Sequence, residues 1–455
     1  MGKLFGTDGI RGIANKELTV NLAFNTGLAL SEIMSENASG AKPKVLISKD
    51  TRISGDMFES AIAAGLCAGG VDVILCGVAP TPAVSYLVKE FNFDAGVMIS
   101  ASHNPSEYNG IKIFNRNGFK LSDELEEKIE YAIENNRYIK LATGKNIGVV
   151  DRDYNLINEY IEHVSGIKAD DATGDLKILI DCANGSASVT ASKIFTQCDI
   201  INAAPDGLNI NNRCGSMNLD LLVEKVVEGK YDIGIAFDGD ADRCLAIDEN
   251  GDIIDGDMIL CAVADAMKEA GTLKNDTLVV TKLSNLGLHK FCERRNYNVS
   301  QTDVGDRFVL ERMVENNYNL GGEQSGHIIV LDYAGTGDGQ LTATLILNLL
   351  SKKNEKASKV FGVMKKYPQI SLNVKIPQDK DKAGMKEKIL SDCDVINAEK
   401  TVGEKLNSNG RIILRASGTE PLIRIMIEGE SEDIIAEYAK EIEGVILRKL
   451  EREEE

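Results

Sequence analysis

Three short runs that are almost wholly apolar and β-branched punctuate the chain: Val45-Leu-Ile-Ser48, Ile178-Leu-Ile-Asp181 and Leu278-Val-Val-Thr281. Continuous apolar runs of this length, without alternation, read as strands buried on both faces, which places them in mixed or parallel sheets covered by helices. Each run leads into a small polar loop, Lys49–Gly55, Cys182–Ala187 and Lys282–Gly287 respectively. A helical pattern follows each loop, as over Met57–Ala68 and Leu286–Arg295. The recurrence suggests one α/β unit used three times; three unrelated β-loop-α units fit the same pattern.

The boundaries follow from local breaks. Asn146–Asp153 ends a charged stretch ahead of a helical pattern over Tyr154–Val164, and Asp248-Glu-Asn-Gly-Asp252 is a turn cluster. Tyr367-Pro368 introduces a strand-like run over Ile370–Ile376. Beyond it come a helix over Lys380–Leu390, strands over Arg411–Arg415 and Ile423–Glu428, and a last helix over Glu432–Glu451, the pattern of a small α+β domain. The expected domains are therefore 1–153, 154–252, 253–367 and 368–455. No low-complexity linker separates them, so they are expected to pack around a common site.

Composition narrows the function classes. In 455 residues, 43% hydrophobic, 51 Lys and Arg stand against 70 Asp and Glu, a formal charge of −19. A chain so acidic repels phosphate backbones, which argues against a general nucleic-acid binder but leaves room for a local basic pocket. The longest apolar stretches fall short of the roughly 20 residues that span a bilayer, and Met1–Asp8 shows no signal-peptide core. Nine cysteines occur singly, with no C-x-x-C pair, as expected for reduced thiols in a cytoplasm.

Four loops carry candidate chemistry. In Ile99-Ser-Ala-Ser-His-Asn-Pro105 an apolar strand runs into small residues that set a hydroxyl beside an imidazole. That is the raw material of a nucleophile, or of an ordinary Ser/Asn turn. In Asp238-Gly-Asp-Ala-Asp-Arg243 three short carboxylates alternate with small residues and can converge on a hard cation such as Mg²⁺. An EF-hand is the rival reading, but Arg243 occupies its obligatory glycine position. An aspartyl-phosphatase loop fits less well, because Asp242 stands where a hydroxyl or valine belongs. Gly321-Gly-Glu-Gln-Ser-Gly-His327 exposes an acid, an amide, a hydroxyl and an imidazole between glycines, groups suited to sugar hydroxyls. Arg415-Ala-Ser-Gly-Thr-Glu-Pro-Leu-Ile-Arg424 flanks small hydroxyl residues with two guanidinium groups, whose forked donors match phosphate; a plain hairpin is the alternative. Two weaker clusters are Phe5-Gly-Thr-Asp-Gly-Ile-Arg-Gly12 and Ser48-Lys-Asp-Thr-Arg52.

Taken in order, these loops resemble those of the α-D-phosphohexomutase superfamily, from Leu4 to about Glu428. Within it, the N-terminal, serine and sugar loops look most like the bacterial branch that acts on glucosamine phosphates. The resemblance implies three similar α/β domains with mixed sheets plus a smaller C-terminal α+β domain around a central cleft. It implies that Ser102 is phosphorylated and that Asp238, Asp240, Asp242 and the phosphate on Ser102 bind Mg²⁺, with Arg243 adding positive charge. It further implies that Arg415, Ser417, Gly418, Thr419 and Arg424 hold the non-reacting phosphate while Glu323 and Ser325 bond sugar hydroxyls. Arg11, His103, Lys112, Lys282 and His327 match positions with acid–base and charge roles.

The activity implied is an isomerase reaction, glucosamine 6-phosphate to glucosamine 1-phosphate. It would run through a sugar 1,6-bisphosphate that is both intermediate and activator, and feed UDP-N-acetylglucosamine and cell-wall precursor synthesis. The same chemistry on glucose or mannose phosphates is the alternative. A non-catalytic sugar-phosphate binder would not need Ser102 and all three aspartates, and a Ca²⁺ sensor would show Ca²⁺-driven change without turnover. The resemblance also suggests a homodimer; cysteine usage, charge and the short apolar runs set the expectation of a cytoplasmic protein with no nucleic-acid or membrane partner.

Overall fold

A computed structural model describes residues 4–6, 8–36, 42–135, 141–169, 174–376, 382–417 and 421–452. Among them the strands form four sheets, and the chain makes two compact units. The first unit, Met1–Leu283 with Asn296–Val363, holds three of the sheets; the second, Ser284–Arg295 with Met364–Glu455, holds the fourth.

The first sheet contains β1 (Phe5–Gly6), β2 (Gly9–Ile13), β3 (Lys44–Lys49), β4 (Asp72–Val78), β5 (Ala95–Ile99), β6 (Tyr108–Asn115) and β7 (Val150–Arg152), in the order β1-β2-β6-β5-β3-β4-β7. As its unbroken apolar run requires, β3 is buried between its ends and lies parallel to β4 and β5. Helix Gly55–Ala68 covers it, sinking Phe58, Ile62 and Leu66 into the core around Val45 and Ile47. Each such side chain removed from water contributes about 1.5–3 kcal/mol. β6 runs antiparallel to both β2 and β5, which makes the sheet mixed.

The second sheet is β8 (Ile178–Asp181), β9 (Asp199–Ile201), β10 (Ile233–Phe237), β11 (Cys244–Asp248) and β12 (Ile253–Ile254), ordered β12-β11-β10-β8-β9. Gly234 in β10 lets helix Asp220–Gly229 press down on the strand: a Cβ there would stand 2.5 Å from a Val226 methyl. The Asp248–Asp252 turn is a hairpin inside this sheet, so the sheet continues to Ile254 and does not stop at residue 252.

The third sheet, β13 (Thr277–Thr281), β14 (Asn298–Thr302), β15 (Leu320–Gly322) and β16 (Ile328–Val330), is ordered β14-β13-β15-β16, with β15 and β16 antiparallel. The fourth, β17 (Gln369–Lys375), β18 (Arg411–Ala416) and β19 (Leu422–Glu428), is antiparallel throughout, with β19 central. Helix Glu432–Arg452 buries Ile435, Ile442 and Ile446 against it.

A second helix, Cys393–Leu406, was not expected from the sequence. Val395, Ala398, Val402 and Leu406, spaced i, i+3, i+7 and i+11, form its narrow apolar stripe against the core. Its local signal was Asp392, whose side chain accepts from the Asp394 N–H as an N-cap. No helix among the described residues is long and apolar enough to cross a membrane.

Candidate active site

β5 ends at Ile99, and the chain turns through Ser102 before β6 begins at Tyr108. Ser102 adopts φ +52°, the left-handed region that disfavours a residue bearing a Cβ. Its side chain is buried; Oγ donates to Asp238 Oδ2 at 2.6 Å and lies 3.3 Å from His103 Nδ1. Its main chain is held too. The N–H donates to Ser100 Oγ, and the carbonyl accepts from Arg52 Nη2 and Asn211 Nδ2, each at 2.9 Å.

The aspartates arrive from the second sheet. β10 and β11 are antiparallel neighbours, so residues 238–243 form the connection at the end of a hairpin. Gly239 is required here by close approach, since a Cβ would stand 2.6 Å from the Ser102 carbonyl oxygen. Asp238, Asp240 and Asp242 are buried, with carboxylate oxygens within 4.8 Å of one another. Burial, then the neighbouring Asp242 and Asp240, push the Asp238 carboxyl well above its usual range.

Lys112, on β6, relieves part of this repulsion. Its Nζ lies 2.8 Å from Asp240 Oδ2, 3.2 Å from Asp242 Oδ2 and 3.0 Å from Asp8 Oδ2. Burial alone would depress the ammonium; the three carboxylates outweigh it and hold Lys112 well above its ordinary value. Both aspartates thus spend Oδ2 on Lys112. Their Oδ1 atoms are buried with no hydrogen-bond partner among the described residues. Buried anionic oxygens without a donor, on an all-carboxylate set, fit a hard divalent cation.

Around this centre the first unit gathers further charge. Arg11, on β2, pairs with Asp8, and Arg243 Nε stands 3.9 Å from Asp242 Oδ1. Lys120 bridges Asp8 to Asp306, and Asp306 Oδ2 lies 3.3 Å from His327 Nε2, which is 4.0 Å from Asp242. Burial alone would raise the Asp8 carboxyl, but Lys112, Lys120 and Arg11 hold it well below the usual carboxylate range. Burial, Arg243 and Arg11 together push His103 down to about 4.

The sugar-type loop is the turn between β15 and β16. It is laced to its surroundings through the main chain: Cys244 N–H donates to the Gly326 carbonyl and Gly256 N–H to the Gln324 carbonyl, both at 3.0 Å. Glu323 Oε1 accepts from Gly305 N–H at 3.1 Å, and burial raises its carboxyl. The Ser325 hydroxyl is buried with no hydrogen-bond partner among the described residues.

Lys282 stands apart from this gathering. It is partly exposed, ion-paired with Asp303 at 2.7 Å, and no hydrogen bond or ion pair ties it to the carboxylates. In the second unit, Arg415 and Arg424 face each other across β18 and β19, and burial with the adjacent Arg424 holds Arg415 below its usual value. Ser417 is buried just beyond β18. Gly418 and Thr419 lie outside the described residues.

Asp8, Lys120, Asp306 and Asn211 were not singled out from the sequence. Asp8 sits inside the N-terminal glycine motif and could have been; Lys120, Asp306 and Asn211 belong to no motif and needed the fold. Arg52 was noted within a weak cluster, with no sign of its partners.

Family models match nearly the whole length, all described as phosphoglucomutase/phosphomannomutase: alpha/beta/alpha domain I over 2–140, domain II over 158–251, domain III over 255–367 and the C-terminal domain over 372–445. A phosphoglucosamine mutase of Clostridium beijerinckii is 49% identical over 454 residues, covering 99% of this chain and all of that protein. Among solved structures, a phosphoglucomutase/phosphomannomutase family protein of Burkholderia thailandensis superposes with a TM-score of 0.80 at 22% identity, covering 98% of this chain and 97% of that one. An Aspergillus fumigatus N-acetylphosphoglucosamine mutase, solved in complex with GlcNAc-6P and magnesium, gives 0.63 at 17% identity, covering 97% and 95%. The solved structures share the fold, and full-length identity near one half carries the assignment further: this chain belongs to the phosphoglucosamine mutase family of phosphohexomutases.

Proposed function

We propose that this isomerase interconverts glucosamine 6-phosphate and glucosamine 1-phosphate, with Ser102 carrying the phosphoryl group between them. The observation that supports Ser102 most is its hydroxyl, buried and 2.6 Å from an aspartate of the only wholly buried acidic triad among the described residues. In the first half-reaction the P–O bond to Ser102 breaks as a sugar hydroxyl forms a new one; the hydroxyl proton passes to a base, and the departing Ser102 Oγ takes up a proton to become a hydroxyl. A 1,6-bisphosphate results, turns end over end, and returns its other phosphoryl group to Ser102. His103, held neutral by burial, stands 3.3 Å from Ser102 Oγ and takes that serine's proton.

Asp238, Asp240, Asp242 and the phosphate on Ser102 would hold Mg²⁺, which when bound supplies charge neutralisation for phosphoryl transfer. Arg11, Lys112, Arg243 and His327 set positive charge or hydrogen-bond donors around the transferring group. Lys282 would join them only by leaving Asp303. Glu323 and Ser325 bond sugar hydroxyls, and Arg415, Ser417, Gly418, Thr419 and Arg424 take the distal phosphate. We assign domains of 1–153, 154–254, 255–367 and 368–455, the second closing after β12, and a cytoplasmic homodimer supplying UDP-N-acetylglucosamine and cell-wall precursors. Nine cysteines with no C-x-x-C pair support that compartment.

The test compares kcat/KM on glucosamine, glucose and mannose 6-phosphates with Mg²⁺ and a trace of glucose 1,6-bisphosphate. A preference for the amino sugar of about a hundredfold or more, about 2.7 kcal/mol in the transition state, is expected. Comparable rates on glucose or mannose phosphate would transfer the assignment to those sugars.

A further inference from the structure

The serine loop is held by a residue pair that touches no part of the reacting hydroxyl. Arg52 and Asp50 lie just beyond β3, and neither side chain is exposed. A guanidinium group carries five N–H donors, and all five of Arg52 are spoken for. Nη2 donates to the Ser102 carbonyl at 2.9 Å and the Asn104 carbonyl at 2.8 Å. Nη1 donates to the Tyr108 carbonyl at 3.1 Å and to the Pro105 carbonyl. Nε donates to Asp50 Oδ2 at 2.8 Å. One side chain therefore gathers four main-chain carbonyls of the segment 102–108.

Asp50 completes the frame from the other side. Its Oδ1 accepts from the Arg52 N–H at 2.9 Å, and its Oδ2 accepts from Ser100 Oγ at 2.6 Å. Ser100 Oγ in turn accepts from the Ser102 N–H at 2.9 Å. Both peptide groups of Ser102 are thus fixed, the carbonyl by Arg52 and the N–H by Asp50 through Ser100. Between them lies the left-handed φ of +52°, a conformation that costs about 1–3 kcal/mol at a non-glycine residue and persists where its surroundings over-determine it. Asn211, from the second sheet's module, adds donors to the same Ser102 and Asn104 carbonyls at 2.9 and 3.1 Å.

We infer that Asp50 and Arg52 are positioning residues that hold Ser102 in its left-handed conformation and so aim its Oγ at the transferring phosphorus. The inference rests on the reading of Ser102 as the phosphocarrier. A buried Arg–Asp pair could instead be simple structural glue, but glue would have no cause to spend all four Nη donors on the one segment that carries the serine. Lysine cannot replace this arginine, because a single ammonium lacks the planar fork that reaches four carbonyls.

The experiment measures, on purified protein, the rate at which glucose 1,6-bisphosphate phosphorylates dephosphorylated enzyme, read by intact mass, beside steady-state kcat, KM and melting temperature. Arg52→Lys is expected to slow both Ser102 phosphorylation and kcat by about a hundredfold, as misplacement of a reacting group by about 1 Å does. KM is expected to stay within about threefold. Asn211→Ala is expected to slow phosphorylation by about three- to tenfold; because Asn211 has a left-handed φ of +58°, melting should also fall by about 2–4 °C. Ser102→Ala serves as the control. If it still turns over, the phosphocarrier reading itself fails. If it is inactive while folded Arg52→Lys and Asn211→Ala phosphorylate at the parental rate, the reading stands and the positioning role is overturned. Loss of rate only in proportion to unfolded protein overturns it as well.

Discussion

Replacing Lys112 by methionine tests the electrostatics of the site with little change in volume. The parent ammonium is buried at 2.8, 3.0 and 3.2 Å from three carboxylates, two of which belong to the triad. Methionine fills a similar space, so the cost is the charge lost and not a cavity. Removing one member of a buried ion-pair group costs about 3–5 kcal/mol, because it strands the other. At roughly 2 °C per kcal/mol, suitable for a large cooperative unit, the variant should melt about 6–10 °C below the parent in EDTA.

The sign of the magnesium response follows from the same contacts. The carboxylates that lose Lys112 remain close together and buried, so a divalent cation gains more by binding them in the variant than in the parent. Saturating Mg²⁺ should therefore raise the variant's melting temperature more and narrow the gap, as ligand binding to the native state does. Circular dichroism melts in EDTA and in Mg²⁺ measure both quantities. A variant that melts within about 2 °C of the parent in EDTA refutes the reasoning. So does a gap that Mg²⁺ leaves unchanged.

Gly239→Ala would drive a Cβ to 2.6 Å from the Ser102 carbonyl and 2.8 Å from Asn211 Nδ2. A fall in kcat of about a hundredfold is expected, and parental kcat in steady-state assays would contradict the geometry. His103, folded, titrates near 4 against 6.5 for the free group, so between those pH values the unfolded chain binds the extra proton. Its contribution to stability therefore falls as pH drops from 6.5 to 4, and His103→Gln should flatten melting temperature against pH in that window. In the C-terminal unit, buried Glu428 pairs with Arg411 and accepts from Asn285 Nδ2 and the Leu286 N–H, both at 3.1 Å. Glu428→Gln should cost about 3 kcal/mol, read as faster hydrogen exchange across β17–β19.

The parts of the fold that the sequence made legible were those where one physical demand dominates. Val45–Ser48 is apolar because both faces of β3 are covered, and a strand of that kind declares itself without a partner. Helix Cys393–Leu406 was legible too, through Val395, Ala398, Val402 and Leu406 at helical spacing, but that narrow stripe is easily passed over among its charged neighbours. In the site, Asp238, Asp240 and Asp242 were visible because repulsion makes their spacing improbable without a cation. Lys120 and Asp306 were not, because each is an ordinary charged residue until the fold brings it against Asp8 and His327. Lys282 shows the reverse, a motif position whose side chain lies with Asp303.

The main-chain bonds from Cys244 to Gly326 and from Gly256 to Gln324 bear on how the proposed bisphosphate would turn over during one catalytic cycle. They tie the loop that would grip the sugar to the start of β11, directly after Arg243, and to the first turn of helix Gly256–Glu269, so the loop cannot slide past residues 238–243 without breaking them. The reorientation proposed for the bisphosphate would then be motion of the ligand against this loop. A fixed surface that serves both orientations has to recognise what they share, the ring hydroxyls and a phosphate at either end, and must stay indifferent to which end is which. Tight grip on one orientation would slow the turn, so selection for turnover limits how strongly this loop can bind either isomer.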